Sequence, residues 1–119
     1  GVAVVTSDGC VLGEALATQT EIHAPWGGVV PNLAMEGHRA AIDRTVDLAL
    51  ARAGVTADQL DAIAVTVGPG LSLCLRVGVV KAHEMAAKHQ KPLLKVHHME
   101  AHALVARLAP DEQARPSFP

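Results

Sequence analysis

Aromatic side chains are almost absent from this 119-residue sequence: Trp26 and Phe118 are the only two, and tyrosine does not occur. Proteins that hold single-stranded nucleic acid commonly stack its bases on exposed aromatic rings. The sequence therefore contains no recognisable base-stacking platform. If the protein acts on RNA, we expect most of the contact surface to lie elsewhere.

Strong net charge and long apolar runs are also missing. Ten basic against twelve acidic residues give a formal net charge of −2, and no cluster of lysine or arginine marks a nucleic-acid surface. No apolar run approaches the roughly 18 residues that a membrane-spanning helix needs, so we expect no membrane association. No charged-then-apolar leader is present, but the chain begins at Gly1 rather than at methionine, which leaves a removed or missing leader open.

Cysteine is scarce as well. Cys10 and Cys74 lie far apart and lack the spacing of a disulfide framework. This favours a reducing compartment and two buried thiols without a chemical role.

The sequence does contain alternating strand and helix patterns, and half of its residues are hydrophobic, enough for one domain or one lobe of a larger protein. This order predicts an α/β fold in which helices cover a mixed sheet that is incomplete at both ends. The first two strands should form a hairpin around Asp8-Gly9, and residues 110–119 read as a polar linker. The expected strands are 2–6, 11–18, 62–67 (buried on both faces) and 93–96, and the expected helices are 35–53, 72–90 and 98–108.

A long loop is expected between the hairpin and the first helix, over residues 19–32. Loops of this length are often functional, so Glu21, His23 and Trp26 are candidates for the lip of a binding site. The alternative is a surface connection that Trp26 anchors to the body of the domain. We interpret His38, in the helix that follows, as a surface or interface histidine rather than a ligand.

A glycine loop, Gly68–Leu71, joins a predicted strand to a predicted helix. In that order, backbone N–H groups and the positive helix end can cradle an anion or a nucleotide. The loop lacks the Lys-Ser/Thr pair of a P-loop and the full dinucleotide spacing. A tight turn that needs glycine for backbone reasons is an equally good interpretation.

Three of the seven histidines, His97, His98 and His102, fall within six residues. On a helix, His98 and His102 would lie about 40° apart and could offer two ring nitrogens to one metal ion, whereas His97 would point elsewhere. This is half of a metal site, because a stable site needs at least a third ligand and no nearby segment supplies an obvious one. Two packed histidines, each hydrogen-bonded to backbone, remain the alternative.

The position of Glu100 disfavours a metallopeptidase. In the H-E-x-x-H helix of such enzymes the glutamate directly follows the first histidine and reaches the metal-bound water. Here Met99 occupies that position, and Glu100 lies about 200° from His98 around the helix. Glu100 is therefore poorly placed to act as a base.

Four segments occur in the same order in one known family: Gln19–His23, Gly27–Pro31, Gly68–Leu71 and His97–Leu104. They resemble those of the universal tRNA threonylcarbamoyladenosine synthases, proteins once described as O-sialoglycoprotein endopeptidases. The similarity covers essentially the whole chain, and the histidine motif with the following Arg107-Leu108 is most similar to the mitochondrial, bacterial-like branch.

The resemblance implies a two-lobed fold of the actin, Hsp70 and hexokinase type (the ASKHA fold), with residues 1–109 as a partial first lobe. It implies a mitochondrial acyltransferase, cytoplasmic if bacterial. The reaction would move a threonylcarbamoyl group from threonylcarbamoyl-AMP to N6 of the adenosine beside the anticodon in ANN-decoding tRNAs. The first strand of the family, a Ser-Gly-Gly loop expected after Phe118 and the second lobe are missing, so this segment alone should be inactive.

The resemblance also implies a metal site and a partner. In the family, the second and third histidines of the motif, here His98 and His102, bind one divalent cation, iron or zinc, together with an aspartate of the second lobe. No catalytic or nucleotide-binding residue of this chain is assigned. Family members form homodimers, or heterodimers with an inactive relative, through two long helices, here about 35–53 and 72–90, in which the residues suited to packing are Ala40, Ala49, Val77 and Val80.

Two other functions stay open. The chain could be a non-catalytic partner subunit of the same fold, although such partners lack the histidine pair. It could also be a metallopeptidase, which the position of Glu100 disfavours.

Overall fold

Four strands and four α-helices lie within residues 1–108, the part of the chain that the computed structural model describes. The predicted linker over residues 110–119 lies outside this part. The strands are β1 (Val2–Val5), β2 (Val11–Ala15), β3 (Ile63–Gly68) and β4 (Leu93–His97). The α-helices are α1 (Thr20–His23), α2 (Pro31–Ala53), α3 (Ser72–His89) and α4 (His98–Leu104), with 3-10 turns at Ala24–Trp26, Ala57–Gln59 and Val105–Leu108.

The opening hairpin is confirmed: β1 and β2 are antiparallel, with Val2 opposite Ala15. Gly9 adopts a φ of +89° in the turn, a conformation that costs glycine little, and its N–H donates to the carbonyl oxygen of Thr6 at 3.0 Å. Strand β2 ends at Ala15 rather than near residue 18. Because Val2 is already the first paired residue of β1, the residues after Ala15 have no strand opposite them.

The strands do not form the single mixed sheet that we predicted. Within residues 1–108 there are two two-stranded sheets, an antiparallel one of β1 and β2 and a parallel one of β3 and β4. The first packs on α2 and the second on α3, while α2 and α3 pack on each other. Each pair of strands is therefore covered by its own helix, and the α/β character is confirmed without the joint sheet.

Strand β3 is covered on one face only, so the prediction of a strand buried on both faces is wrong. Ile63 forms a cluster with Ala82 and Ala86 of α3. Ala64, which points to the opposite face, is exposed. The continuous apolar run predicted a second covering layer that residues 1–108 do not provide.

Local capping chemistry sets the ends of the helices. Helix α2 begins at Pro31, earlier than predicted, because the fixed φ of proline suits the first helical position. It ends at Ala53, as predicted, and is followed by Gly54, which adopts the left-handed conformation at φ +70°. Thr56 and Gln59 form a capping box at the next 3-10 turn, where the N–H of Thr56 donates to Oε1 of Gln59 at 2.9 Å.

The core is built largely from alanine and other small side chains, so the elements lie close together. Gly13 of β2 shows how close: a Cβ there would lie 2.7 Å from the carbonyl oxygen of Ala49. A hydrogen bond from Nη1 of Arg52 to the carbonyl oxygen of Glu14, 2.8 Å long, joins the same two elements. The buried hydrophobic residues of the described chain are Ala15, Ala34, Val46, Ala49, Ile63, Val77, Ala82 and Ala86.

Both cysteines are free thiols, and the prediction that both are buried is wrong for Cys10. Cys10 is exposed because it directly follows the hairpin turn, where its N–H donates to Oγ1 of Thr6 at 3.0 Å. Cys74 is partly buried in α3. Across residues 1–108, no helix is long and apolar enough to cross a membrane.

Candidate metal centre

The first turn of α4 brings His98 and His102 together, as their spacing predicts. Their Nε2 atoms lie 2.9 Å apart, and their rings meet edge to face with centroids 4.5 Å apart. At that distance one Nε2 donates and the other accepts a hydrogen bond. Both side chains are exposed, so a ligand in solution can reach them.

This separation fits two nitrogen ligands of one ion. Imidazole nitrogens bind zinc at about 2.0–2.1 Å, which places two of them about 2.9 Å apart at a right angle and about 3.4 Å apart at a tetrahedral angle. The observed 2.9 Å is thus within half an ångström or so of both arrangements. The rings need no large movement to hold a metal ion between them.

The pair supplies only two ligands. Within residues 1–108, no group of three or more histidine, cysteine, aspartate or glutamate side chains is placed to hold a metal ion. A structural zinc site has four ligands and a catalytic one at least three from protein. Within residues 1–108, the pair therefore provides fewer side chains than a zinc site requires.

His97 has a separate role that the sequence did not reveal. It occupies the N-cap position of α4, with extended backbone angles, and its Nδ1 accepts a hydrogen bond from the N–H of Glu100 at 3.4 Å. Serine, threonine, aspartate and asparagine are the usual N-cap residues. Histidine is not among them, so the sequence does not predict that His97 caps the helix.

The glycine loop lies at the same edge of the sheet as the histidines. In the parallel pairing of β3 and β4, Gly68 is the partner of His97, so both strands end side by side. Gly68 has a φ of +151°, a conformation that favours glycine. Helix α3 then begins at Ser72 without a side-chain cap. The first turns of α3 and α4 therefore start from neighbouring strand ends, while an anion site at the loop stays a prediction.

The segment predicted as one long loop, residues 19–32, contains α1 and a 3-10 turn, and His23 anchors it. Nδ1 of His23 accepts a hydrogen bond from the N–H of Val30 at 3.3 Å, and Nε2 lies 3.1 Å from Oε1 of Gln19. The amide of Gln19 in turn donates to the carbonyl oxygen of Ala34 in α2 at 3.1 Å. His23 thus has both ring nitrogens engaged, which makes it a structural residue.

The other candidates in this region remain at the surface. Trp26 is 67% exposed, so the interpretation that it anchors the loop is wrong. Glu21 is exposed on α1. His38 is a surface histidine of α2, as predicted, and partial burial lowers its pKa, with smaller contributions from the N-terminal ammonium group and His23.

Replacing His23 with alanine is expected to loosen the segment from residue 24 to residue 30. The substitution removes two hydrogen bonds, each worth about 0.5–1.5 kcal/mol, so amide exchange at Val30 should accelerate by about an order of magnitude. Hydrogen-exchange mass spectrometry measures this. His83→Ala, which removes an exposed imidazole from α3, is the matched control, and unchanged exchange in the His23 variant would contradict the anchor.

Comparisons with known proteins place these features in one family. The family model described as TsaD, tRNA N6-adenosine threonylcarbamoyltransferase, matches residues 10–119. A protein of Arabidopsis thaliana named "Probable tRNA N6-adenosine threonylcarbamoyltransferase, mitochondrial" is 50% identical over 114 residues, which are 96% of this chain and 24% of that protein.

Two further relatives give the same result. The Homo sapiens protein named "tRNA N6-adenosine threonylcarbamoyltransferase, mitochondrial" is 48% identical over 106 residues, or 89% of this chain and 26% of its own length. The Anaeromyxobacter protein named "tRNA N6-adenosine threonylcarbamoyltransferase" is 48% identical over 118 residues, or 98% of this chain and 34% of its own length. The chain thus spans about a quarter to a third of the length of the curated relatives it matches.

Proposed function

Because the chain belongs to the tRNA N6-adenosine threonylcarbamoyltransferase family, we propose that it forms part of an enzyme that modifies tRNA. The reaction is transfer of a threonylcarbamoyl group from threonylcarbamoyl-AMP to N6 of the adenosine beside the anticodon in ANN-decoding tRNAs. The observation that carries the proposal is the exposed pair of Nε2 atoms of His98 and His102, 2.9 Å apart. That pair suits one divalent cation, either iron or zinc.

The chain acts as a partial first lobe of a two-lobed ASKHA fold, over residues 1–109. His98 and His102 hold the cation from this lobe, and an aspartate of a second lobe completes the site. The exposure of both histidines and the lack of a third ligand within residues 1–108 support a site shared between two lobes. The 119-residue segment alone is therefore inactive.

His98 and His102 would hold the cation, which would supply positive charge to neutralise and polarise the acyl donor. Beside them, the Gly68–Leu71 loop leads into the first turn of α3, whose backbone N–H groups suit the phosphate of an adenylate. We assign no catalytic residue within residues 1–108. Because the eukaryotic relatives are named mitochondrial, we propose a mitochondrial location, or a cytoplasmic one in a bacterium.

The partner surface lies along α2 and α3. Ala49 and Val77 are buried in the core, which leaves Ala40 and Val80 exposed. Val80 and Leu73 line a shallow groove of about 220 Å³ between the two helices, which the ion pair of Lys81 and Asp43 crosses at 2.7 Å. We propose that a second copy, or a paralogue of the same fold, covers this surface.

The direct test uses the full-length protein. Incubation with threonylcarbamoyl-AMP and an ANN-decoding tRNA should yield threonylcarbamoyladenosine, detected by mass spectrometry of the digested tRNA. A tRNA that does not decode ANN codons is the matched control and should stay unmodified. Sedimentation of the same preparation tests the pairing, since a monomer at micromolar concentration would argue against it.

The same preparation separates the other two functions. A tight heterodimer without metal in either chain and without transfer would favour a non-catalytic partner subunit. Cleavage of a glycoprotein by metal-loaded protein free of contaminating proteases would favour a metallopeptidase. One observation argues against the metallopeptidase. Met99 and Glu100 both belong to helix α4, so the helical spacing turns Glu100 away from the histidine pair.

A further inference from the structure

We propose that His97 is a positioning residue, which caps α4 through Nδ1 and so holds His98 and His102 in the geometry that binds metal. The proposal rests on the proposed function, because it assigns the two following histidines to a metal ion. It gives the third histidine of the cluster a role of its own. His97 acts through the helix and not as a ligand.

The geometry of His97 is that of an N-cap. Its backbone is extended, at φ −82° and ψ 126°, while His98 is the first helical residue. Its Nδ1 accepts from the N–H of Glu100, the third residue of the helix, which is the bond that a serine or aspartate cap usually makes. The bond requires an unprotonated Nδ1, so this nitrogen is not available to a metal ion.

Helix α4 needs such a cap because little else holds it. It has seven residues, fewer than two full turns, and isolated helices of that length are unstable in water. Of its side chains only Ala101 is even partly buried. The packing contribution to its stability is therefore small, and the backbone hydrogen bonds of its first turn weigh correspondingly more.

The metal pair depends on that same turn. His98 and His102 are four residues apart, so their Nε2 atoms meet at 2.9 Å only while the backbone between them is helical. If the turn opens, the two imidazoles separate and the ion loses one of its ligands. The apparent affinity for metal then falls in proportion to the fraction of molecules in which the turn is formed.

The test is Co²⁺ titration of the full-length protein, followed by the visible absorption of the bound ion. His97→Ala should weaken Co²⁺ binding about fivefold, the equivalent of a lost N-cap, with the stoichiometry and the absorption bands unchanged. His97→Asn and His97→Ser, which restore a short side-chain acceptor, should return the affinity to within about twofold of wild type. His83→Ala, at an exposed site on α3, controls for loss of an imidazole.

Three results would overturn the proposal. Wild-type affinity in His97→Ala would show that the cap does not matter. If the asparagine and serine variants bind Co²⁺ as weakly as the alanine variant and their absorption bands are shifted, His97 is a metal ligand instead. Wild-type protein that takes up no Co²⁺ through His98 and His102 would remove the metal site and this role together.

Amide exchange separates the failure of the cap from the failure of the metal site. In metal-free protein, exchange at Glu100 should be faster in His97→Ala than in wild type, by up to about fivefold, and slow again in the asparagine variant. Unchanged exchange overturns the cap whatever the metal does. Faster exchange without any Co²⁺ uptake rejects the proposed function and leaves a cap on a helix that binds no metal.

Discussion

Replacing both His98 and His102 with alanine is expected to abolish metal uptake by the full-length protein and, with it, modification of tRNA. The two Nε2 atoms, 2.9 Å apart, are the only paired imidazole nitrogens of the histidine cluster. Loss of a residue that merely orients a ligand typically costs 10–100-fold in metal affinity, so loss of two ligands should cost at least about 100-fold. Elemental analysis of the purified variant and nucleoside mass spectrometry of its tRNA product measure both effects.

The double variant should fold normally, which makes its defect interpretable. Both histidines are exposed on α4, so their truncation leaves no cavity and strands no buried polar group. Surface substitutions of this kind usually change stability by less than about 0.5 kcal/mol. His83→Ala, also exposed, should keep full metal content and activity. A double variant with wild-type metal content and wild-type transfer would reject the assignment of both ligands.

The sequence predicts best those parts of the fold that depend on neighbouring residues. The turn at Gly9, the stop at Gly54 and the capping box of Thr56 and Gln59 each follow from the side chain or backbone freedom of one or two residues. The pairing of strands does not follow from neighbouring residues. Whether β3 joins β1 or β2 depends on tertiary packing, and here each strand pair lies against its own helix.

The same distinction applies to the candidate site: contacts within one helix are predictable from the sequence, and contacts between separate segments are not. The helical period alone places His98 beside His102, because residues four apart lie on the same face of a helix. The role of His97 could not be predicted, because it depends on where α4 begins and on which ring nitrogen faces Glu100. The role of His23 depends on contacts with Val30 and with Gln19, across the loop. A single sequence gives no signal for such contacts.

Substituting Gly13 with alanine is expected to cause a large loss of stability. Gly13 is buried in β2, opposite Val4 of β1. Its added Cβ would lie 2.4 Å from the backbone nitrogen of Ala53 and 2.7 Å from the carbonyl oxygen of Ala49. Both atoms belong to the backbone of α2, so no side-chain rotation can relieve the contact, and β2 must move away from the helix.

The expected cost is about 3 kcal/mol, at the upper end of what overpacking a core causes. Part of the cost arises because moving β2 away exposes Ala49, a fully buried residue of α2. Urea unfolding of the full-length protein, followed by circular dichroism, measures the change in the free energy of unfolding. Gly28→Ala is the matched control, because no atom lies within 4 Å of the added Cβ. The control should change stability by less than about 0.5 kcal/mol. A Gly13→Ala variant as stable as this control would mean that β2 and α2 are not packed backbone against backbone.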